Sequence, residues 1–199
     1  DLAYRTITSI MDHYNAGPKA EIAAITASQA KNNRLLLAGL REMNPDKKYA
    51  PDANSTMRLS YGTVKDYYPM DGVYYNYFTT ADGILEKMDN ANDEFIVDPK
   101  LESLIRNKDF GPYGENGKLK VCFISNNDIT GGNSGSPVIN GNGELVGLAF
   151  DGNWESMSGD IAFDPDYKRT ISADIRYVLF IIDKFAGAGH LIKEMKLVN

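Results

Sequence analysis

The stretch DITGGNSGSPV, residues 128–138, constrains this chain more than any other part of it. Three Gly and a Pro surround Asn133 and Ser134, and an apolar segment follows at once. Glycine takes backbone dihedrals that other residues resist, and it lets the main chain approach a neighbour closely. Such a loop is either a tight structural corner or a place where main-chain N–H groups point at a ligand.

The flanks of the loop read as short strands. KLKVCFIS (118–125) precedes it, and SPVIN and ELVGLAF (144–150) follow, the last two joined by the turn signal Gly141-Asn142-Gly143. Further upstream, MRLSYGTV (57–64) and GVYYNYFT (72–79) are Tyr-rich and β-branched runs bounded by Gly, again strand chemistry. PKLESLIRNK (99–108) predicts a short helix with Pro at its start. Several short strands with Gly/Asn turns predict a barrel or sandwich.

The two ends read differently. Residues 1–44 are rich in Ala, Leu, Ile and Lys, with a Gly17-Pro18 break and a stop at Pro45, which predicts two helices. The polar segment 44–57 carries two Pro and marks a boundary, so the domains are expected at 1–50 and 51–199. Near the other end, Ile175, Val178, Leu179, Ile182 and Phe185 fall at helical spacing, with Ser172 as cap and Gly187 as stop. That helix is expected to pack its apolar stripe against the strands.

Composition removes several function classes. The 199 residues carry a formal net charge of −6 and no Lys/Arg cluster, which argues against a nucleic-acid surface. A single Cys, Cys122, excludes an internal disulfide framework and a multi-thiolate metal site, and in LKVCFIS it reads as a buried strand thiol. No apolar run reaches the length of a membrane span. The acids of MDNANDEF (88–95) lack the ligand spacing of a Ca²⁺ loop and read as solvated. Asn54 in NST matches a glycosylation acceptor, and a polar loop is the simpler reading. Tyr67, Tyr68, Tyr74, Tyr75 and Tyr77 suggest either a stacking platform or alternating barrel positions, and the second is preferred.

As chemistry, the glycine loop suits acyl transfer. A Ser hydroxyl attacking a carbonyl needs a base for its proton and donors for the oxyanion that develops. In GGNSG, the N–H groups of Gly132 and Ser134 can face one point if the turn is tight. GNSGSP resembles the signature around the nucleophile of trypsin-like peptidases position by position, and the hairpin, the strand LVGLAFDG and the final helix follow in the same order.

The longer runs TGGNSGSPVINGNGELVGLAFDGNWE, SGDIAFDPDYKRTISADIRYVLFIIDKFAG and NPDKKYAPDANSTMRLSYGTVKDYYP are similar to the bacterial dipeptidyl aminopeptidases of types 7 and 11. These are chymotrypsin-fold serine peptidases with an inserted helical domain. The resemblance covers nearly the whole chain and is strongest from Met57 onward. It implies a mainly β fold with helices: the C-terminal β-barrel half of a chymotrypsin-like double barrel, a terminal helix, and an N-terminal helical remnant of the insertion. It also implies a periplasmic or cell-surface enzyme of a Gram-negative bacterium. No leader is recognisable at Asp1, which says little for a chain expected to be the C-terminal portion of a longer one.

The same resemblance assigns roles. Ser134 is the expected nucleophile, and Gly132 and Ser134 the oxyanion-hole donors. Asp151 is the expected carboxylate for the free α-ammonium of a peptide substrate; a solvated turn Asp is the plainer alternative. Gly152 stands at the mouth of the specificity pocket, where the branch preferring acidic residues resembles an Arg site. Gly leaves that pocket open and uncharged, so a hydrophobic residue is expected before the scissile bond, as in the type 7 branch. Phe150 is either pocket wall or strand core. Trp154 is either rim or core. Asp128, six positions before Ser134, is either a pocket acid selecting cations or a turn cap, and the cap is preferred.

A triad also needs a His and an Asp ahead of the Ser. His13 falls in a helix and His190 lies on the wrong side of Ser134, so neither is expected to serve as base. The chain alone is therefore expected to be inactive. No metal or cofactor is implied. Expected partners are peptide substrates and, through surface left by the absent portion, further copies of the chain. Two rivals are a trypsin-type endopeptidase and a non-catalytic β-rich binding module.

Overall fold

The structure, a computed structural model, describes residues 1–47, 49, 56–158 and 163–198, so Asn54 and its NST motif lie outside the described residues. It divides into Asp1–Thr56 and Met57–Asn199. The first body holds two helices, α1 (Leu2–Ala16) and α2 (Pro18–Met43). Asp1 caps α1 by accepting the Ala3 N–H at 2.8 Å. Gly17 separates the helices, and Pro18, which has no N–H to leave unpaired, opens α2. No residue of either helix is buried, and Ile7, Ile10, Leu35 and Leu36 are exposed.

In the second body, two strands pair as a hairpin and five build a sheet. The hairpin joins β1 (Tyr67–Met70) to β2 (Val73–Tyr75). Met70 faces Val73, which leaves Asp71-Gly72 as a two-residue turn, and Gly72 supplies φ +77°. Cross-strand ring pairs Tyr67–Tyr75 and Tyr68–Tyr74, 5.3 and 5.1 Å between centroids, fix its register. Most of the Tyr cluster thus belongs to this hairpin and not to the larger sheet.

The antiparallel sheet has the order β3-β4-β7-β6-β5, with β3 at Phe78–Thr80, β4 at Lys120–Ser125, β5 at Pro137–Ile139, β6 at Leu145–Gly152 and β7 at Thr170–Asp174. It is open, not the expected closed barrel: β3 and β5 form its two edges among the described residues. Each edge strand is three residues long. The expected strand at 57–64 is irregular apart from a single bridge, Val64 to Ser125. There the backbone is held by a side chain instead, because the Thr63 N–H donates to Asn126 Oδ1 at 2.7 Å.

Helices α3 (Asp82–Glu86) and α4 (Pro99–Arg106) precede β4, and α5 (Ile175–Phe180) follows β7 directly. Ile105, Phe110, Tyr113, Leu119, Leu179 and Phe180 form the buried cluster between these helices and the sheet. The cap of α5 is Asp174, which accepts the Arg176 N–H at 2.9 Å. Ser172, the expected cap, is instead a fully buried residue of β7. After Phe180 the helix widens into a π turn, Ile181–Phe185, and Gly187 ends it at φ +69°. Leu179 of the expected stripe is buried, and so is Phe180, which lies outside that stripe and is fully enclosed. A last helix, α6, spans Gly189–Ile192.

One buried cation ties the sheet to the segment before β1. Arg169 is 1% exposed and donates to four carbonyls, those of Lys65, Asp66, Pro165 and Lys168, at 2.8–3.1 Å. Its guanidinium lies 5.2 Å from the Tyr67 ring centroid.

Candidate active site

The glycine loop sits between β4 and β5, at the end of the sheet where β6 bulges. Gly135 N–H donates to the Ala149 carbonyl at 2.7 Å, and Ala149 N–H to the Ser136 carbonyl at 2.8 Å. These bonds dock the loop on β6. The β6–β7 register shifts between Ala149 and Asp151, so Phe150 is an extra residue in its strand. A bulge re-aims neighbouring groups, and here the Phe150 carbonyl accepts the Ser134 hydroxyl at 3.3 Å.

Ser134 is exposed. Gly132 and Gly135 on either side of it have φ +93° and +84°, a conformation that side chains rarely tolerate. Among the described residues neither the Gly132 nor the Ser134 N–H donates to a protein group, whereas the N–H groups of Asn133, Gly135 and Ser136 all do. Two main-chain donors next to an exposed hydroxyl are therefore left for something else.

Beside the loop lies a cleft of about 260 Å³. It brings Ser134, Phe150, Asp151 and Gly152 together, with Ile129 and Met157 adding apolar wall. Phe150 is exposed and faces this cleft, so it is not a core residue. Asp151 is exposed, and its Oδ1 accepts the Gly152 N–H at 2.8 Å. Gly132 is not one of the lining residues. Trp154 is 82% exposed, which excludes the core alternative, and it does not line the cleft.

Asp128 does neither of the two things expected of it. It is not a lining residue, and its carboxylate faces Lys168 Nζ at 3.6 Å, a lysine that is itself buried. Among the described residues no His lines the cleft. His13 is exposed on α1, and His190 is exposed on α6. Cys122, in β4, is half-buried, and burial pushes its thiol pKa up, away from nucleophile chemistry.

Sequence reasoning overlooked the residues that hold this geometry. Asn153 is buried and anchors the far rim: its Nδ2 donates to Tyr167 O and Glu155 Oε2, and its Oδ1 accepts the Arg169 N–H. Ser156 Oγ donates to the Asn153 carbonyl at 2.6 Å. Tyr67 donates to Glu155 Oε2 at 2.9 Å, and burial, more than that carboxylate, raises its pKa. Arg58 reaches the loop from the other side. Asn153, Tyr67 and Arg58 act on residues distant in the chain, which no local sequence pattern records.

The sheet thus presents an exposed serine in a glycine loop beside a cleft. The chain belongs to the peptidase S46 family, whose model matches residues 1–197. It is 61% identical over 169 residues to dipeptidyl-peptidase 7 of Porphyromonas endodontalis, covering 85% of this chain and 21% of that protein. It is 48% identical over 199 residues to the Asp/Glu-specific dipeptidyl-peptidase of Flavobacterium psychrophilum, covering 100% of this chain and 28% of that protein. A crystal structure of P. endodontalis DPP11 in complex with the dipeptide Arg-Glu superposes with a TM-score of 0.82 at 48% identity, over 87% of this chain and 25% of that one. The chain thus spans about a quarter of the length of the curated relatives it matches. Among the described residues no helix is long and apolar enough to cross a membrane.

Proposed function

We propose that this chain is the nucleophile-bearing portion of a serine dipeptidyl peptidase that releases dipeptides from free peptide N-termini, with a hydrophobic residue before the scissile bond. The observation that carries the reading is the exposed Ser134 at the cleft, with two main-chain N–H groups, its own and that of Gly132, that have no protein partner among the described residues. Ser134 Oγ attacks the carbonyl carbon of the second residue while its proton passes to a base. The oxyanion is held by the N–H groups of Gly132 and Ser134. Collapse of the tetrahedral species breaks the C–N bond, the leaving amine takes the proton, and water then hydrolyses the acyl-enzyme. The base belongs to a part of the longer protein that this chain does not contain, so the chain alone has negligible activity. In this reading the open sheet carries the nucleophile loop, and α1 and α2, whose apolar side chains Ile7, Ile10, Leu35 and Leu36 are exposed, are the end of a helical insertion.

The substrate preference rests on the lining. Ile129, Phe150 and Met157 offer apolar surface, and Gly152 adds no charge at the mouth. Asp151 is the only acid lining the cleft among the described residues, which suits one ammonium at the substrate N-terminus. Asp128 is committed to Lys168, which counts against selection of Lys or Arg.

The test uses the full-length protein. A fluorophosphonate should label Ser134, and Ser134→Ala should abolish both labelling and turnover of dipeptidyl substrates with a hydrophobic second residue. Equal cleavage of N-terminally blocked substrates would assign an endopeptidase, and an inert Ser134 would leave the loop a structural corner.

A further inference from the structure

We infer that Arg58 is a positioning residue for the nucleophile loop; this inference rests on the peptidase reading above. The three glycines of the loop have open space where a side chain would stand. A Cβ built on Gly131, Gly132 or Gly135 would meet no heavy atom within 4 Å. Its order therefore comes from polar bonds: Gly135 and Ser136 hold one side of it on β6, and the turn before Ser134 meets one side chain from outside the loop. Arg58 Nη2 donates to Thr130 Oγ1 at 2.6 Å and to Asn133 Oδ1 at 3.2 Å. The same Asn133 Oδ1 accepts the Thr130 N–H at 3.0 Å, and the Asn133 N–H donates to the Thr130 carbonyl at 3.1 Å.

Thr130 and Asn133 are thus the two ends of a closed turn that contains Gly131 and Gly132, and Asn133 immediately precedes Ser134. A guanidinium clamps both ends with charge-assisted bonds, which are stronger and more directional than neutral ones. Arg58 is itself held from outside the loop. Its segment is tied to the sheet through Thr63 N–H to Asn126 Oδ1, Asn126 N–H to the Thr63 carbonyl, and Lys65 N–H to the Ile124 carbonyl. The clamp therefore fixes the turn relative to β4, across more than seventy residues of chain.

The consequence is a division of labour. Arg58 touches no reacting atom; it holds the Gly132 and Ser134 N–H groups in the arrangement the oxyanion requires. Removing it frees two glycines of a turn that packing does not restrain. Of the cleft lining, Phe150, Asp151, Gly152, Asn153, Ser156 and Met157 lie outside the clamped turn and stay in place, while Thr130 and Gly131 belong to it. Arg58 thus acts on kcat and on the reactivity of Ser134, and little on KM.

The experiment compares wild type, Arg58→Ala, Arg58→Lys and Thr130→Val in the full-length enzyme. Arg58→Ala is expected to lower kcat and the fluorophosphonate labelling rate about 10-fold to 100-fold, with KM changed less than about threefold. Lys keeps the charge but places a shorter-reaching ammonium where Nη2 donates to both acceptors, so Arg58→Lys falls between. Added guanidinium ion, below denaturing concentration, should restore part of the Ala variant's labelling and none in Ser134→Ala. A folded Arg58→Ala enzyme with wild-type labelling and kcat would overturn the inference, as would a loss confined to KM. If the Ala variant does not fold, Thr130→Val decides: it keeps Arg58 but deletes one acceptor. A labelling rate lowered at least about threefold is expected there, and a wild-type rate overturns the clamp. A wild-type enzyme that neither labels nor turns over sinks the peptidase reading itself, an outcome distinct from all of these.

Discussion

A methyl group placed on Gly152 would stand 2.1 Å from Ser156 Oγ and 3.2 Å from Ser156 Cβ. The obstruction is steric alone, since the Gly152 backbone is not in the left-handed region. It is also coupled to structure, because the obstructing hydroxyl is the one that donates to the Asn153 carbonyl at 2.6 Å. A side chain at the mouth of the cleft and a hydroxyl at position 156 thus exclude one another. Gly152→Ala should cost about 1–3 kcal/mol, the range for overpacking a filled site. In Gly152→Ala/Ser156→Gly the cost should fall by about 1 kcal/mol below the sum of the single changes. Denaturant unfolding of the four forms measures this. Strict additivity would mean that Ser156 is not the barrier. The same pair bears on specificity: converting the cleft to accept acidic residues through Gly152→Arg should require the change at Ser156 as well.

Asp151 carries a second prediction. Its Oδ1 is occupied by the Gly152 N–H, which orients the carboxylate and leaves Oδ2 with no protein hydrogen bond among the described residues. An ammonium–carboxylate contact differs from an ammonium–amide contact by the strength of a charged hydrogen bond, about 1.5–3 kcal/mol. Asp151→Asn in the full-length enzyme should therefore lower kcat/KM for free N-termini by about 10-fold to 100-fold. Ser134 labelling by a small fluorophosphonate should hardly change. Steady-state kinetics on paired free and N-blocked substrates provide the check, and an equal loss on both would remove Asp151 from amine recognition.

These residues also show where the sequence was readable. The glycine loop, the helices of 1–44 and strands β4 to β6 carry their signals locally, in Gly spacing, Pro breaks and β-branched runs. Strand β7 does not. Its buried positions are Thr170, Ser172 and Asp174, all polar, so the apolar alternation that betrays a strand is missing. Two of them have a structural use: the Thr170 hydroxyl donates to the Asn127 carbonyl at 2.8 Å, and Asp174 caps α5 and binds Arg176 through both its oxygens. Ser172 Oγ is buried with no hydrogen-bond partner among the described residues. The hairpin β1–β2 was hidden for another reason, since its Asp71-Gly72 turn lies inside a Tyr-rich run that reads equally well as flanking strands. Ser156 and Arg58 were beyond any local pattern, because their roles exist only after β6 and the glycine loop are in place.

Tyr113 supplies a prediction that needs no substrate. Its hydroxyl donates to Asp183 Oδ2 at 2.9 Å beneath the π turn. Burial first, and then the bond and negative charge of Asp183, push its pKa up to about 12 from an ordinary 10.0. A raised acid pKa means that the folded state holds its proton more tightly than the unfolded state. This contribution to stability is complete below the unfolded value near 10, and it is lost as pH rises through about 12. Tyr67, Tyr74 and Tyr177 are raised as well, Tyr67 and Tyr177 chiefly by burial and Tyr74 chiefly by its bond to Asp66. An absorbance titration of the 12 tyrosines will therefore show several late phenolates. The difference between wild type and Tyr113→Phe isolates one of them, and it should appear only toward pH 12. In parallel, the stability advantage of wild type over Tyr113→Phe should be constant below about pH 10 and shrink above it. A Tyr113 phenolate that forms near pH 10 in the folded protein would break the proposed contact with Asp183, and with it the tie between the segment after α4 and the π turn that ends α5.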